Sequence, residues 1–377
     1  MIAGDSRCQS RQKSARKKTK QTQQCRGPTK MSAANLSQTN RISGGLIDRS
    51  KPLNFRFDGQ YYTGFSGDTL ASALLANNVR LVGRSFKYHR PRGILTAGSE
   101  EPNALVTIGS GASEDPNCRA TTTQLFHELT AKSQTKIGLL SFDLMAINDL
   151  LSPLLGAGFY YKTFMWPAAF WEKLYEPLIR KAAGLGSLSG EADPDRYDKG
   201  YLHCDLLVIG SGPSGLMAAL SAAESGLRVI LADEDFRLGG RLNAETFEID
   251  GVSGAIFAAE TLGALGRMDN IRILRRTTVF GAFDHGCYGA LERVKEHGAN
   301  GDVRQILWHI RSRRCILAGG ATERTITFSN NDRPGIMLAG AVRTYVNRFG
   351  VYPGKRVAIF TNNDDGWETA KDLHAAG

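Results

Sequence analysis

The residues best suited to chemistry lie between positions 204 and 242. Asp205 to Ile209 is a short apolar run, and Gly210-Ser211-Gly212-Pro213-Ser214-Gly215 follows it at GxGxxG spacing. An Ala-rich helical stretch then runs from Leu216 to Glu224, Gly226 ends it, and a second apolar run, Leu227 to Ala232, closes on Asp233 and Glu234. The order strand, glycine turn, helix, strand, acid is one that binds a pyrophosphate. Gly210 permits the tight turn, Gly212 lets the backbone approach the phosphates, and Gly215 lets the helix pack on the sheet. The helix start, with Ser214 and Gly215, offers unpaired N–H groups and a positive dipole end. Asp233 and Glu234 stand where an adenine ribose would offer its hydroxyls, and a carboxylate there favours NAD over NADP by repelling a 2′-phosphate. The adenine half of FAD satisfies the same pocket, so the motif alone does not separate the two.

Three further features join this unit. Gly239, Gly240 and Arg241 supply a second glycine loop near the same phosphates. Val303 to Ile310 and Cys315 to Ala321 read as a strand, a turn and a strand ending in Gly319-Gly320, which resembles the later strand of the two-dinucleotide-fold flavoprotein superfamily and so implies a return beside the cofactor. Val279 is a candidate for backbone contact to the adenine. No catalytic constellation accompanies them: the seven histidines form no HxxxH pair and no GxSxG serine is present. No catalytic residue and no metal ligand is therefore assigned. The six cysteines are scattered without a CxxC, which argues against a disulfide framework and for a reducing, cytoplasmic setting.

The elements that must position this unit begin upstream. Leu53, Phe55 and Phe57 alternate with polar residues, Asp58-Gly59 makes a hairpin turn, and Leu70 and Leu74 lie one helical turn apart after Asp68 or Ser66 as a cap. Hairpin then helix opens a ferredoxin-type β-grasp fold. No cysteine occurs between Cys25 and Cys118, so no iron–sulfur cluster is expected. Phe170, Leu174 and Leu178, with Trp171 and Tyr175 one step round, predict an amphipathic helix for core or inter-subunit packing. Its mixed charges argue against a membrane-surface helix. Arg356 to Phe360 reads as a strand leading to a helix over Trp367 to Ala376.

The fold class expected is α/β and α+β multidomain: a β-grasp domain lacking a cluster, then a Rossmann-like fold of the two-dinucleotide-domain flavoprotein type. The divisions are a basic disordered tail (1–40), the β-grasp domain (41–115), a helical connector and linker (116–200), the dinucleotide-binding domain (201–345) and the start of a second nucleotide-type domain, read as truncated (346–377). Composition agrees: 377 residues, 42% hydrophobic and 22% charged, with no apolar run long enough to span a membrane. Residues 1–30 carry eight of the ten net positive charges, so the remainder is near neutral and nucleic acid is not indicated as a partner. For the tail, a start at Met31 is favoured over a mitochondrial presequence or a nucleic-acid-touching arm.

The strings FSGDTLASALLANNVRLVGRSFKYHRPRGI, AGFYYKTFMWPAAFWEKLYEPLIRKAAGLG, CDLLVIGSGPSGL with LADED, and NDRPGIMLAGAVRTYVNRFG followed by VAIFTNNDD carry a resemblance. Over about residues 43–377 the sequence resembles the N-terminal part of the alpha subunits of heterotetrameric sarcosine oxidases. The resemblance implies NAD in this chain, and beta, gamma and delta partners. It implies FAD on beta and FMN at the alpha–beta interface. It further implies oxidative demethylation of sarcosine to glycine and peroxide, with the one-carbon unit passed to tetrahydrofolate. The folate-binding domain lies outside this sequence, and the isolated chain is expected to be inactive. Two alternatives remain open: an alpha-type subunit of a proline dehydrogenase or hydrogen cyanide synthase complex, and a non-catalytic nucleotide-binding scaffold.

Overall fold

The structure is a computed structural model that describes residues 38–153, 155–156, 158–159, 164, 166–295 and 302–377. The tail expected to be disordered lies, up to residue 37, outside the described residues, as do parts of the aromatic connector.

The first domain grows from an alternating sequence. β1 (Asp48–Phe57) and β2 (Gln60–Ser66) form an antiparallel hairpin in which Phe57 pairs with Gln60. The two intervening residues, Asp58 and Gly59, both have positive φ, the conformation a two-residue hairpin turn with right-handed strand twist requires. Alternation buries Phe55 and Phe57, and all seven residues of α1 (Leu70–Ala76) are buried behind them. Thr69, rather than Asp68 or Ser66, caps α1, exchanging hydrogen bonds with Ser72. Asp68 is buried too, and it holds Arg41 in a bidentate pair and accepts from Ser72 Oγ. After the short pair β3 (Gly83–Arg84) and β4 (Pro91–Arg92) come β5 (Leu105–Ile108), β6 (Asp115–Arg119) and β7 (Leu129–Ser133). The sheet order is β2-β1-β7-β5-β6, with β1 and β7 parallel.

A connector follows, with a short helix α2 (Ile147–Leu150) and a π-helical turn, Trp171–Tyr175, running into α3 (Glu176–Ala183). The expected amphipathic helix is thus present, but Phe170, Leu174 and Leu178 are about half exposed, so it does not pack into this chain's own core.

The second domain is a six-stranded sheet in the order Ile271–Leu274, Val229–Ala232, Arg196–Ile209, Val303–Leu317, Cys287–Arg293, Thr277–Phe283. β8 (Arg196–Ile209), α4 (Pro213–Glu224) and β9 (Val229–Ala232) form the first parallel unit. The hairpin β10 (Glu248–Ile249) and β11 (Val252–Ser253) leads into α5 (Gly254–Leu265) and β12 (Ile271–Leu274), parallel to β9. An antiparallel meander, β13 (Thr277–Phe283) and β14 (Cys287–Arg293), hands over to β15 (Val303–Leu317), which returns parallel to β8. The turn expected between residues 310 and 315 is absent, because β15 keeps its ladder with β8 across that stretch.

The chain then comes back to the first domain. α6 (Ala339–Arg343) continues through a π-helical segment to Arg348, and Leu338, Ala341, Tyr345, Phe349 and Val351 complete the β-grasp core. Fully buried Tyr345 donates its hydroxyl to Thr96 O at 2.8 Å. Residues 356–360 form no strand here: they have no ladder partner among the described residues, and Phe360 is exposed. α7 (Asp364–Ala375), capped by Asn363, follows.

Candidate functional site

The site lies at the carboxyl ends of β8 and β9, where open α/β sheets bind ligands. Gly210 turns the chain with φ +99°, and a Cβ on it would sit 2.4 Å from Ala318 O. A Cβ on Gly215 would sit 1.9 Å from Gly210 O, so α4 rests directly on the turn. Gly212 is different. It precedes Pro213 at the start of α4, has an ordinary φ of −63°, and a Cβ on it would meet nothing within 4 Å. The first and third glycines are required by the protein's own packing; the second borders open space at a helix N-terminus. Ser214, exposed, is on the first turn of that helix.

The two loops expected near the phosphates do converge. A Cβ on Gly240 would lie 2.9 Å from Gly212 Cα, and Gly239 N donates to Ser211 Oγ at 3.1 Å. Gly319 N would be 3.2 Å from a Cβ on Gly210, so the end of β15 abuts the same turn. Val279, on β13, packs its side chain into the core beneath the sheet. Thr277 N, two residues before it, donates to Asp233 O at 2.7 Å, which places the start of β13 beside the end of β9.

The two acids have different surroundings. Asp233 Oδ2 accepts from Ser211 N at 2.6 Å and Ser211 Oγ at 2.7 Å, and its Oδ1 accepts from Asp235 N at 2.8 Å. With Ser211 fully buried, this carboxylate ties the first glycine loop to the end of β9 and, through Ser211 Oγ, to the second loop. Glu234 makes no side-chain hydrogen bond or ion pair among the described residues and is half-buried. Arg241 is also committed: it pairs with Glu245 and Asp365. It belongs to a cluster in which buried Arg343 contacts Glu245, Asp365 at 2.9 Å and Asp372 at 3.1 Å, joining the second glycine loop to α7. No local pattern marks that cluster, because its members, Arg241 to Asp372, span more than 120 positions.

Another anion cradle, unforeseen, sits in the β-grasp domain. The Glu101 carboxylate, 1% exposed, accepts from the backbone N–H of Leu95 (2.9 Å), Thr96 (2.7 Å), Asn103 (2.8 Å) and Ala104 (3.2 Å), and from Thr96 Oγ1. It organises the loop between β4 and β5.

Residues 50–136 match the 2Fe-2S iron-sulfur cluster binding domain family, and residues 205–256 match the FAD dependent oxidoreductase family. These matches correct the cofactor expectation of NAD in this chain, flavins through a partner and no iron–sulfur cluster: the classes they bring are a 2Fe-2S cluster and FAD. The expectation went astray because a cysteine count tests ligation, whereas the family pattern is carried by the hairpin, helix and strands around the site. On ligation itself, the residues present do not supply the four thiolates that hold such a cluster. Residues 50–136 contain one cysteine, Cys118, whose thiol is pushed up to about 12, chiefly by burial. The open backbone at Gly212 does fit the diphosphate of a dinucleotide. Among the described residues no group of three or more His, Cys, Asp or Glu is placed to hold a metal ion, and no helix is long and apolar enough to cross a membrane.

In fold, the chain is similar to L-proline dehydrogenase from P. horikoshii, with a TM-score of 0.57 at 20% identity over 87% of this chain and 52% of that one. In sequence, it is 37% identical over 355 residues to sarcosine oxidase subunit alpha of Corynebacterium sp. (strain U-96), covering 93% of this chain and 32% of that protein. It is 58% identical over 336 residues to sarcosine oxidase subunit alpha of Rhizobium meliloti (strain 1021), covering 88% and 34%. The chain therefore spans about one third of the length of these relatives. Over that span, and through the motifs quoted above, it is a homologue of sarcosine oxidase subunit alpha.

Proposed function

We propose that this chain is the dinucleotide-holding part of an alpha subunit in a sarcosine-oxidising complex, and that it binds FAD by its ADP half. One observation carries the reading: Gly212 borders open space between two loops that Asp233 and Ser211 tie together. The α4 N-terminus presents N–H groups to a diphosphate there. Glu234 accepts the ribose hydroxyls, since its carboxylate has no other partner among the described residues, while Asp233 positions Ser211 and the glycine loop. Gly319 keeps the end of β15 clear of the same space. A bound flavin supplies two-electron oxidation of an amine carbon–nitrogen bond. The chain's own residues bind and orient; the substrate site is completed with partner subunits, as relatives named as subunits suggest. At the level of the whole complex the reaction is demethylation of sarcosine to glycine.

Calorimetric titration of the full chain with FAD, and separately with NAD, tests this. Saturable FAD binding that disappears in a folded Gly212→Val variant supports it. Binding of NAD alone overturns the flavin assignment, and binding of neither overturns the cradle.

A further inference from the structure

Away from the glycine loop, a cavity of about 580 Å3 opens between the two domains, within the range of small-molecule sites. Leu46, Leu238, Ala259 and Leu262 give it an apolar wall. Three guanidinium groups, Arg237, Arg275 and Arg348, line the rest.

The nearby acids are already matched. Asp48 takes Lys51 at 3.0 Å and the Ser50 hydroxyl, and Asp235 takes both terminal nitrogens of Arg348, at 2.5 and 2.8 Å. Two of the cations, Arg348 and Arg275, still keep guanidinium N–H groups unused among the described residues. Arg348 lies between the rings of Phe236 and Phe349, and its Nε is buried without a hydrogen-bond partner among the described residues. Its side chain is only 10% exposed, so water does not readily compensate that N–H. Arg237 reaches Asn243 Oδ1 and Leu46 O at 3.2 and 3.3 Å, both long contacts. Burial and the neighbouring charge of Arg348 both weigh against its charged form. The Arg275 side chain makes no hydrogen bond or ion pair among the described residues, its carbonyl alone accepting from Thr277 Oγ1. A cavity holding under-used guanidinium donors beside an apolar wall lacks an anion with a carbon body.

We infer that this interdomain cavity binds a small organic anion, its carboxylate or phosphate group held by Arg237, Arg275 and Arg348 and its carbon body against Ala259 and Leu262. Because Leu46 and Asp48 come from the β-grasp domain and Arg275 from the end of β12, a ligand there also bridges the two domains.

The test is calorimetry on the full chain with citrate and, in a second arm, inorganic pyrophosphate, each against sodium chloride of equal ionic strength. Saturable citrate binding identifies carboxylate recognition, and saturable pyrophosphate binding identifies phosphate recognition. Arg275→Glu, at an exposed position, should weaken either by about tenfold or more. Ala259→Phe keeps every charge, fills the cavity from α5, and should block binding. Saturation by neither probe overturns the proposal. So does binding that survives both variants but is lost in Gly212→Val, which places the anion in the glycine loop.

Discussion

The glycine loop at 210–215 and the loop at 94–104 solve related problems in opposite ways. Each gathers backbone N–H groups toward a point where negative charge is stabilised. The 94–104 loop fills that point with its own Glu101 carboxylate, which takes four backbone N–H groups and is 1% exposed. The 210–215 loop leaves its point open: Gly212 has no neighbour within 4 Å of a would-be Cβ. The closed cradle is a structural device, and the open one is where the proposed dinucleotide site lies. The difference lies in whether the chain supplies the anion.

Substitutions at the closed cradle should have the largest effect on stability. Glu101→Gln keeps the shape but turns an amide NH2 toward two of the donors and removes a buried charge acceptor. It should cost about 3 kcal/mol or more, read from the shift of the urea midpoint. Tyr345 and Leu338 dock on the same loop through Thr96 O and Leu95 O, so the variant should also loosen 338–349, seen as faster amide exchange there. A stable Glu101→Gln protein would reduce the carboxylate to a passenger.

The glycines split the open cradle into packing and binding. Gly215→Ala places a Cβ 1.9 Å from Gly210 O and should cost about 3 kcal/mol, as a clash with backbone that cannot turn aside. Gly212→Val faces open space with φ −63°, so its stability should change by about 1 kcal/mol or less while dinucleotide binding is lost. Equal thermal shifts for the two variants would break the distinction between them.

Asp233 and Glu234, adjacent in sequence, repeat the contrast on a smaller scale. Asp233→Asn disturbs the bonds to Ser211 and should lower stability by about 1–3 kcal/mol with or without ligand. Glu234→Gln should leave stability unchanged and weaken FAD binding by about tenfold. Calorimetry and thermal unfolding on both variants separate the roles, and a reversed pattern would exchange them.

What was legible in the sequence follows from the same contrast. A strand-to-helix turn that must be tight at Gly210, open at Gly212 and closely packed at Gly215 writes glycine at fixed spacing, so these three could be read, as could the Asp58-Gly59 turn from its positive-φ requirement. Glu101 could not, because a single acid in an irregular loop has no periodicity and its donors are backbone groups that any residue carries. Nor could the role of Tyr345 and Phe349, whose helical stretch closes a core that begins some 290 residues earlier. At Arg356 to Phe360 the residues have strand character but no ladder partner among the described residues, and pattern alone does not make a strand.

A fourth carboxylate calibrates how much burial matters to the closed cradle. Asp205, near the start of the parallel pairing of β8 with β9, accepts the Arg228 backbone N–H at 3.1 Å and two of its guanidinium nitrogens at 3.0 and 3.1 Å. These bonds, the guanidinium ones first, draw its carboxyl down from 3.8 to about 2. A depressed carboxyl contributes stability that is fully present above the unfolded value, 3.8, and is lost as pH falls toward 2. Asp205→Asn should therefore flatten the fall in urea midpoint between those two values. At neutral pH it should cost much less than Glu101→Gln, because Arg228 is mostly exposed and water replaces what the carboxylate gives up. Losses of similar size at neutral pH would mean that the count of N–H donors, not burial, sets the strength of these cradles.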